Sequence, residues 1–461
     1  MLYILIWIAT LIISIYLFQK SSGSLSPLKP NLHSLVFYYS LLISSFIGPL
    51  LIVLNIDHHY MLDRLEHQEY RKIGFMYICY IMVFLPLAMV LVSKCLGFNA
   101  KKEFNEYLKS RINISGINSR DFFFIISVLS FLSVASILYT FIKLEHIPIL
   151  ELLKGSSDLG KLRIEASRGF KGNEYIRNIF ALGLTPLLSF IAYAYSINTR
   201  SIRWRLLFII LFFLSILINV YDLQKAPVFF YFLMFILLNI YLGKFTLNIK
   251  RVSIIGIIGS FLLVCMYVFI QGVRTPAEFL SYNTGPIGRL ILSQISPFFL
   301  HLDLFGNKLP FLHGKSLPNI LLQLYDFEPQ VRSAREVMET VYPEKVTAGI
   351  AGVLNTIFAG EAYANFGFAG IIIGTLYIGV FIQIMYISFI RIIKHPITLS
   401  IFIYFTVTIP RVMVGGFVDF VFNPFWILLI VLFLGLLVLQ KMKVDFLRGF
   451  KDYLNQGKKS L

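Results

Sequence analysis

Long apolar segments alternate with short polar stretches along almost the whole chain. Eleven of these segments are long enough to cross a bilayer, because its hydrocarbon core takes about 20 apolar residues. The pattern predicts a single all-α, polytopic integral membrane domain over residues 1–461, with about eleven transmembrane helices, or twelve or more if a further segment inserts. The segments are residues 1–18, 33–54, 72–95, 121–142, 178–197, 204–221, 226–243, 252–271, 368–390, 397–416 and 421–440.

Three polar regions stand out between these segments. The longest, residues 272–347, separates the eighth and ninth spans, and we expect an amphipathic stretch within it near residues 287–304. A second long connection covers residues 143–177, and the basic loop at 101–120 is expected to form a short surface helix. A semi-apolar piece at 348–358 is expected to re-enter the membrane surface before the ninth span.

The charge of the loops predicts the orientation of the chain. Apolar residues make up 57% of it and charged residues 14%, which excludes a soluble protein. Because successive spans alternate in direction, one face receives 22 of the 41 Lys and Arg with 5 of the 24 acids. Basic loops stay cytoplasmic, next to anionic lipid. The net charge of +17 therefore indicates membrane anchoring and no nucleic-acid partner, with residues 441–461 as a cytoplasmic tail and residues 272–347 outside.

No cofactor or metal site is predicted. The sequence has no phosphate-binding glycine loop, no dinucleotide glycine pattern, no zinc-ligand spacing and no Asp-x-Asp pair. The three cysteines, Cys79, Cys95 and Cys265, lie within or at the ends of spans without ligand spacing, as is typical of small packing residues.

Arg411 is the sharpest single candidate for function. It lies inside an apolar segment near its expected outer end, where a charge is costly in lipid and usually faces a cavity or a partner. The alternatives are an anchor that reaches the bilayer surface, or a pair with Asp419. Arg274 at the outer end of the eighth span and Arg289, fifteen residues later, would add fixed positive charge on the same side.

Fixed positive charges at the outer bilayer surface suit a lipid-anchored polyanion, because guanidinium binds phosphate with two parallel hydrogen bonds. Lys225 lies in a turn between two spans, where Asp222 could instead neutralise it. The same role is a candidate for the loop arginines Arg163, Arg168, Arg332 and Arg335. Each has acidic neighbours, however, so solvated ion pairs are the alternative to phosphate binding for them.

A second constellation covers residues 359–370, where glycines allow close backbone approach. Glu361, Tyr363 and Asn365 alternate there, and a carboxylate could accept a proton from a sugar hydroxyl. If Glu361 is not the base, His301, Asp303 and His313 share the same outer compartment. The alternative for the whole stretch is a glycine-rich helix entry with an aromatic belt.

The chain resembles the oligosaccharide repeat-unit polymerases of bacterial O-antigen and capsule assembly over most of its length. The resemblance rests on Ser26-Pro27, the Lys225-Ala226-Pro227 turn, Arg274 opening a long outer loop, the 360–367 stretch and intramembrane Arg411. Arg274 and Gly285 also match an Arg-to-Gly spacing found in outer loops of some members. The chain departs from members that carry Arg-Gly where it has Lys225-Ala226.

The resemblance implies a metal-independent glycosyltransferase of the bacterial inner membrane, similar in architecture to GT-C type glycosyltransferases and O-antigen ligases. Undecaprenyl-diphosphate-linked oligosaccharide would be both donor and acceptor, with chain-length regulator and flippase proteins as partners. Arg274 and Arg411, with Arg289 and Lys225, would hold the donor diphosphate, and Tyr363 and Asn365 would contact sugar.

Two other functions stay open. The related ligases place a His-Asn pair before a Gly-x-x-Gly turn. No histidine precedes the turn at Gly367 and Gly370, which favours a polymerase. A flippase for the same lipid-linked unit should show repeat symmetry and polar residues at the bilayer midplane, whereas the polar groups here lie at the outer edge and in one long loop, which disfavours a flippase.

Overall fold

The computed structural model describes residues 1–114, 119–154, 166, 169–271, 275–325, 330–348, 352–432 and 435. Within these ranges the chain is helical and forms no β-strand, apart from an isolated bridge between Phe305 and Leu309. In chain order the helices are α1 (Leu2–Ser22), α2 (Leu32–Val53), α3 (Tyr70–Cys95), α4 (Ala100–Lys109), α5 (Ser119–Lys143), α6 (Pro148–Leu153), α7 (Ile176–Thr199), α8 (Ile202–Val220), α9 (Lys225–Tyr241), α10 (Ile249–Gln271), α11 (Pro276–Leu280), α12 (Pro286–Ile291), α13 (Ser296–Leu304), α14 (Asn319–Leu322), α15 (Ser333–Val341), α16 (Pro343–Thr347), α17 (Phe358–Arg391), α18 (Pro396–Met413) and α19 (Val418–Val421).

Eight helices of the described ranges are long and apolar enough to cross a membrane, namely α1, α2, α3, α5, α7, α8, α17 and α18. Two shorter apolar helical stretches occur at Ala226–Tyr241 and Val418–Leu432, and α10 covers the predicted eighth span. The prediction of an all-α, polytopic membrane protein is therefore confirmed. The count of eleven spans and the GT-C type architecture stay predictions.

The chain divides into two compact units. The first comprises Met1–Ser110, Asn239–Ile392 and Tyr404–Phe422, and the second comprises Arg111–Leu238, Ile393–Ile403 and Asn423–Leu461. In the second unit α7 packs against α8, and His395 packs against Phe122 and Tyr195, on which the Trp204 ring stacks. The predicted site residues that the structure describes in full all lie in the first unit.

Helix α3 is the centre of the first unit, where it packs against both α1 and α17. The long polar insert also contributes to this core, because all nine residues of α13 are buried and the helix packs against α3 and α17. The amphipathic stretch expected near 287–304 is therefore wrong for its second half, which has no solvent-facing side. Neighbours distant in sequence cover α13 on all sides. Its apolar residues are therefore buried on every face, and its few polar residues are buried but find hydrogen-bond partners.

Helix α4 is the short surface helix expected in the basic loop, and it is shorter than the predicted 101–120. It begins where the Asn99 side chain accepts the backbone N–H of Lys102 at 3.1 Å while Glu103 accepts that of Asn99 at 2.9 Å. Phe104 and Tyr107 are buried beneath it, so the helix lies with one apolar face against the unit and its lysines outward.

Helix α17 is broken near its start and folds back on itself. Phe366 and Gly367 leave the helical conformation, and Gly367 adopts φ +58° and ψ −143°. A Cβ added to Gly374 would lie 3.4 Å from the Cβ of Ala362, although these positions would be about 18 Å apart in a straight helix. Residues 358–365, called the short arm below, therefore run back along the rest of α17. The expected ninth span at 368–390 is only the long part of this helix.

Substituting Gly367 by alanine should destabilise the short arm. Its backbone conformation is almost restricted to glycine, and a Cβ would also press to 3.3 Å from the Phe311 ring, so we expect a loss of about 1–3 kcal/mol. A lower thermal unfolding temperature of the detergent-solubilised protein would report this. Gly256→Ala in α10 is the matched control, because a Cβ there meets nothing within 4 Å. Equal unfolding temperatures for the two variants would contradict the break of α17 at Gly367.

Candidate functional site

The site is built where α18 ends inside the first unit. Pro410 lies within the last turn of this helix, and its carbonyl accepts a hydrogen bond from the Ser40 hydroxyl at 2.7 Å. After Met413 the chain turns until α19 begins at Val418. Backbone groups released by such a break need partners, because an apolar layer supplies none.

The short arm supplies the partner for this break. Oε2 of Glu361 accepts the backbone N–H of Phe417 at 2.5 Å and that of Val418 at 3.0 Å. Gly416 makes the approach possible, since a Cβ on it would lie 2.6 Å from Oε2. The carboxylate that the sequence suggested as a base therefore joins the short arm of α17 to the start of α19, just after the turn that follows α18.

Arg411 lies in the turn just before this junction. Its guanidinium is half-buried and has the hydroxyls of Tyr39 and Tyr404 as electrostatic neighbours. Tyr39 belongs to a π-helical stretch of α2, Val36–Phe46, and such stretches often occur at functional sites. Because the adjacent Pro410 contacts Ser40 in the first half of α2, Arg411 lies beside the interior of that helix and not beside its end.

Asn365 fixes the loop that follows α13 onto the short arm. Its Nδ2 donates to the Ser316 hydroxyl at 2.7 Å and to the Glu361 carbonyl at 2.8 Å, and its Oδ1 accepts the Gly314 N–H at 3.0 Å. The side chain is fully buried, and both of its amide hydrogens are used within the protein. This geometry assigns Asn365 a positioning role at the site. Contact with sugar, as the sequence suggested, stays a prediction.

Aromatic side chains lie next to Asn365. The half-buried Tyr363 ring packs edge-on against Phe311, with 5.6 Å between centroids and an interplanar angle of 79°. His313 is exposed, its ring also packs against Phe311, and its backbone N–H donates to the Asn365 carbonyl at 3.1 Å. The exposed His313 imidazole is therefore held beside the short arm.

The other two alternative bases are committed to the fold. His301 on α13 is buried, its Nδ1–H donates to the Pro297 carbonyl at 2.7 Å, and burial lowers the pKa of the imidazole to about 4. The buried carboxylate of Asp303 accepts the Glu66 N–H at 2.6 Å and a hydrogen bond from His67 Nδ1 at 2.7 Å. Neither group is placed to meet a substrate.

Sequence reasoning missed the short connection between α2 and α3. His59 in that connection is buried, with Ser293 Oγ 3.1 Å from its Nε2 and Ser296 Oγ 3.2 Å from its Nδ1. Ser296 donates its own hydrogen to the Leu292 carbonyl at 2.8 Å, so Nδ1 must carry the proton and Nε2 accepts from Ser293. The run Asp57-His58-His59 directly after a span was the signal that could have found this contact.

The bond between His67 and Asp303 should make the docking of this connection pH-dependent. The hydrogen bond to Asp303 raises the pKa of His67 above its ordinary 6.5, so its contribution is complete below that value and declines as the pH rises through the raised pKa. His67→Gln should therefore lower the unfolding temperature more at about pH 5.5 than at about pH 8.5. The exposed His58→Gln is the control, and an equal effect of His67→Gln at both pH values would refute the assignment.

The remaining candidates are dispersed. Arg289 is exposed on α12 as an electrostatic neighbour of Tyr60, and Lys225 begins α9 in the second unit. Arg335 pairs with Glu339 at 2.6 Å, which confirms the solvated ion pair expected as its alternative. Arg332 is exposed directly before α15, and the other three arginines, Arg163, Arg168 and Arg274, lie outside the described residues.

The described part of the chain thus places Glu361, Tyr363 and Asn365 on the short arm, which contacts the turn after α18, and Arg411 in the last turn of α18 before that turn. Within that part, no group of three or more His, Cys, Asp or Glu residues could hold a metal ion. No family model, no curated protein and no solved structure matches the chain.

Proposed function

We propose that the chain is a polysaccharide polymerase on the outer face of a bacterial inner membrane. It transfers a growing glycan from undecaprenyl diphosphate to the non-reducing-end sugar of an incoming lipid-linked repeat unit. The observation that carries the proposal is the position of Arg411, a guanidinium in the last turn of an apolar helix. The turn that follows this helix is hydrogen-bonded to Glu361 of the short arm. The resemblance in sequence supplies the identity of the substrate.

In this proposal Arg411 binds the donor diphosphate. Its planar guanidinium can make two parallel hydrogen bonds to phosphate oxygens, and it stabilises the negative charge that grows as the diphosphate leaves. Because the residue is half-buried, those bonds would be partly screened from bulk water, which strengthens them. Arg274, Arg289 and Lys225 are the further cations proposed for the donor.

The acceptor hydroxyl needs a proton acceptor, and His313 is the better placed one. Glu361 already accepts two backbone hydrogen bonds through Oε2, whereas the His313 side chain is exposed beside Asn365. The hydroxyl proton passes to the imidazole, and the acceptor oxygen bonds to the anomeric carbon. The bond from that carbon to the diphosphate oxygen breaks, and undecaprenyl diphosphate leaves with the electron pair.

A flippase for the same lipid-linked unit is the second candidate, because α17 is discontinuous and the chain turns again between α18 and α19. Broken helices that meet inside the membrane are typical of transporters, which bind ligands at such points. The absence of a histidine before Gly367 still disfavours a ligase.

The glycans made by cells that lack the protein distinguish these functions. Loss of a polymerase leaves single repeat units on the cell surface, whereas loss of a flippase leaves none outside and loss of a ligase leaves polymer on undecaprenyl diphosphate. We expect single units, restored to polymer by the wild type and by the surface control Arg335→Ala, but not by Arg411→Ala. Lipid-linked units confined to the cytoplasmic face would overturn the proposal in favour of the flippase.

The proposal also requires a defined topology. A reporter fused at Asn307 should be extracytoplasmic, and one fused after Gly457 should be cytoplasmic, because the basic loops lie inside. Alkaline phosphatase and fluorescent-protein fusions at both positions measure this. The opposite pattern would put the short arm and Arg411 on the wrong side for an extracytoplasmic reaction.

A further inference from the structure

A cleft far from the short arm lies between α1, α3 and α4 of the first unit. Its volume is about 620 Å³, and residues at the ends of α1 and α3 and at the start of α4 line it. The backbone of Gly23, just after α1, touches that of Ala100 at the start of α4, so the two helices meet directly at the cleft. The walls of the cleft are therefore helices packed against each other within the first unit.

The cleft is strongly basic. Lys20, Lys94 and Lys101 line it, all three side chains are exposed, and no acidic residue is among its lining residues. The nearby carboxylate of Glu103 is bound by both arms of the Arg391 guanidinium, at 2.7 Å and 3.0 Å. That pair leaves Glu103 unable to neutralise the lysines. An anion of matching size is the ligand that this charge pattern favours.

The surface that continues from the cleft is apolar. Tyr16 and Lys20 lie on one face of α1 with Ile12 and Ile13, whose exposed fractions are 62% and 46%. Leu91, 51% exposed, precedes Lys94 by one turn of α3. An anionic group in the cleft would thus have uncovered hydrocarbon-facing side chains directly beside it, as an acyl chain requires and a free ion does not.

Lys20 and Lys94 occupy the last turns of α1 and α3, two helices long and apolar enough to span a membrane, at the end of each that is expected to be cytoplasmic. We propose that this cleft binds the phosphate-bearing headgroup of an anionic phospholipid, with its acyl chains along α1 and α3. Basic pockets between transmembrane helices on the cytoplasmic side are a known form of lipid site. The site is independent of the glycan chemistry proposed above.

The test is a lipid titration of the purified full-length protein in neutral detergent, read by native mass spectrometry. The probes are phosphatidylglycerol, phosphatidylcholine and inorganic phosphate. We expect Lys20→Gln/Lys94→Gln/Lys101→Gln to weaken phosphatidylglycerol binding at least about tenfold and to leave phosphatidylcholine binding unchanged. Inorganic phosphate should compete only weakly, because it lacks the acyl chains.

The matched control removes the same charge elsewhere on the predicted cytoplasmic face through Lys29→Gln/Lys244→Gln/Lys250→Gln. If both triple variants lose affinity equally, diffuse charge binds the lipid and the cleft is not a site. If inorganic phosphate competes as well as phosphatidylglycerol, the cleft is a phosphate-ion site and the lipid assignment is overturned. Should the first triple variant fail to fold, Lys94→Gln and Lys101→Gln carry the same test singly, each with an expected loss of about threefold.

Discussion

Arg411→Lys is expected to lower polymer formation about a hundredfold, although the positive charge is kept. An ammonium group is a point charge and cannot reproduce two parallel hydrogen bonds to a diphosphate. Losing such a pair of charge-assisted bonds costs on the order of 3 kcal/mol in the transition state, which corresponds to roughly that factor in rate. The measurement is the initial rate of chain growth by the purified variant.

Two controls make this result interpretable. Arg335→Lys changes the same chemistry in a surface ion pair and should leave the rate unchanged. An unchanged unfolding temperature for Arg411→Lys would show that the loss is not one of folding. Normal rate and chain length in Arg411→Lys would establish the alternative, an arginine that anchors its helix.

Glu361→Ala is expected to abolish polymer formation and also to destabilise the junction. The substitution leaves the N–H groups of Phe417 and Val418 without their carboxylate partner, and since both residues are only half-buried the cost is about 1 kcal/mol for each group. Glu361→Gln keeps an oxygen that can accept the same bonds, so we expect it to fold normally and to retain most of the activity. Unfolding temperature and rate, measured together on both variants, test this.

The Gln variant also decides which group is the base. If Glu361→Gln folds, binds the lipid diphosphate and forms no polymer, the carboxylate itself takes the proton, as the sequence suggested. In the mechanism proposed above, His313→Gln instead lowers the rate by about a hundredfold or more without changing the unfolding temperature. Full activity of His313→Gln would remove that residue from the mechanism.

Local pattern predicts much of this protein. In the described part of the chain the apolar segments coincide with helices, because each must be long enough and apolar enough on its own to cross lipid. Arg411 could be found in the same way, since a charge in an apolar run is conspicuous. The short surface helix α4 followed from a basic stretch between two spans.

The local pattern does not reveal where a helix reverses direction, or which residues distant in sequence form hydrogen bonds with each other. An apolar run through Gly367 has the same composition whether the helix continues or folds back, so the short arm was read as part of the entry to the ninth span. The bonds from Phe417 and Val418 to Glu361 join residues more than fifty positions apart, and no local spacing encodes them. Polar residues made α13 look like part of a loop, although its partners cover it.

The most direct test of the central proposal is a reconstituted reaction. Purified protein is incubated with a synthetic undecaprenyl-diphosphate repeat unit of the native host, without added metal, and the products are separated on a gel. A ladder of regularly increasing length, absent with Arg411→Ala, is the result expected of a polymerase. A single transfer onto another lipid, or no product with any native repeat unit, would contradict the proposal.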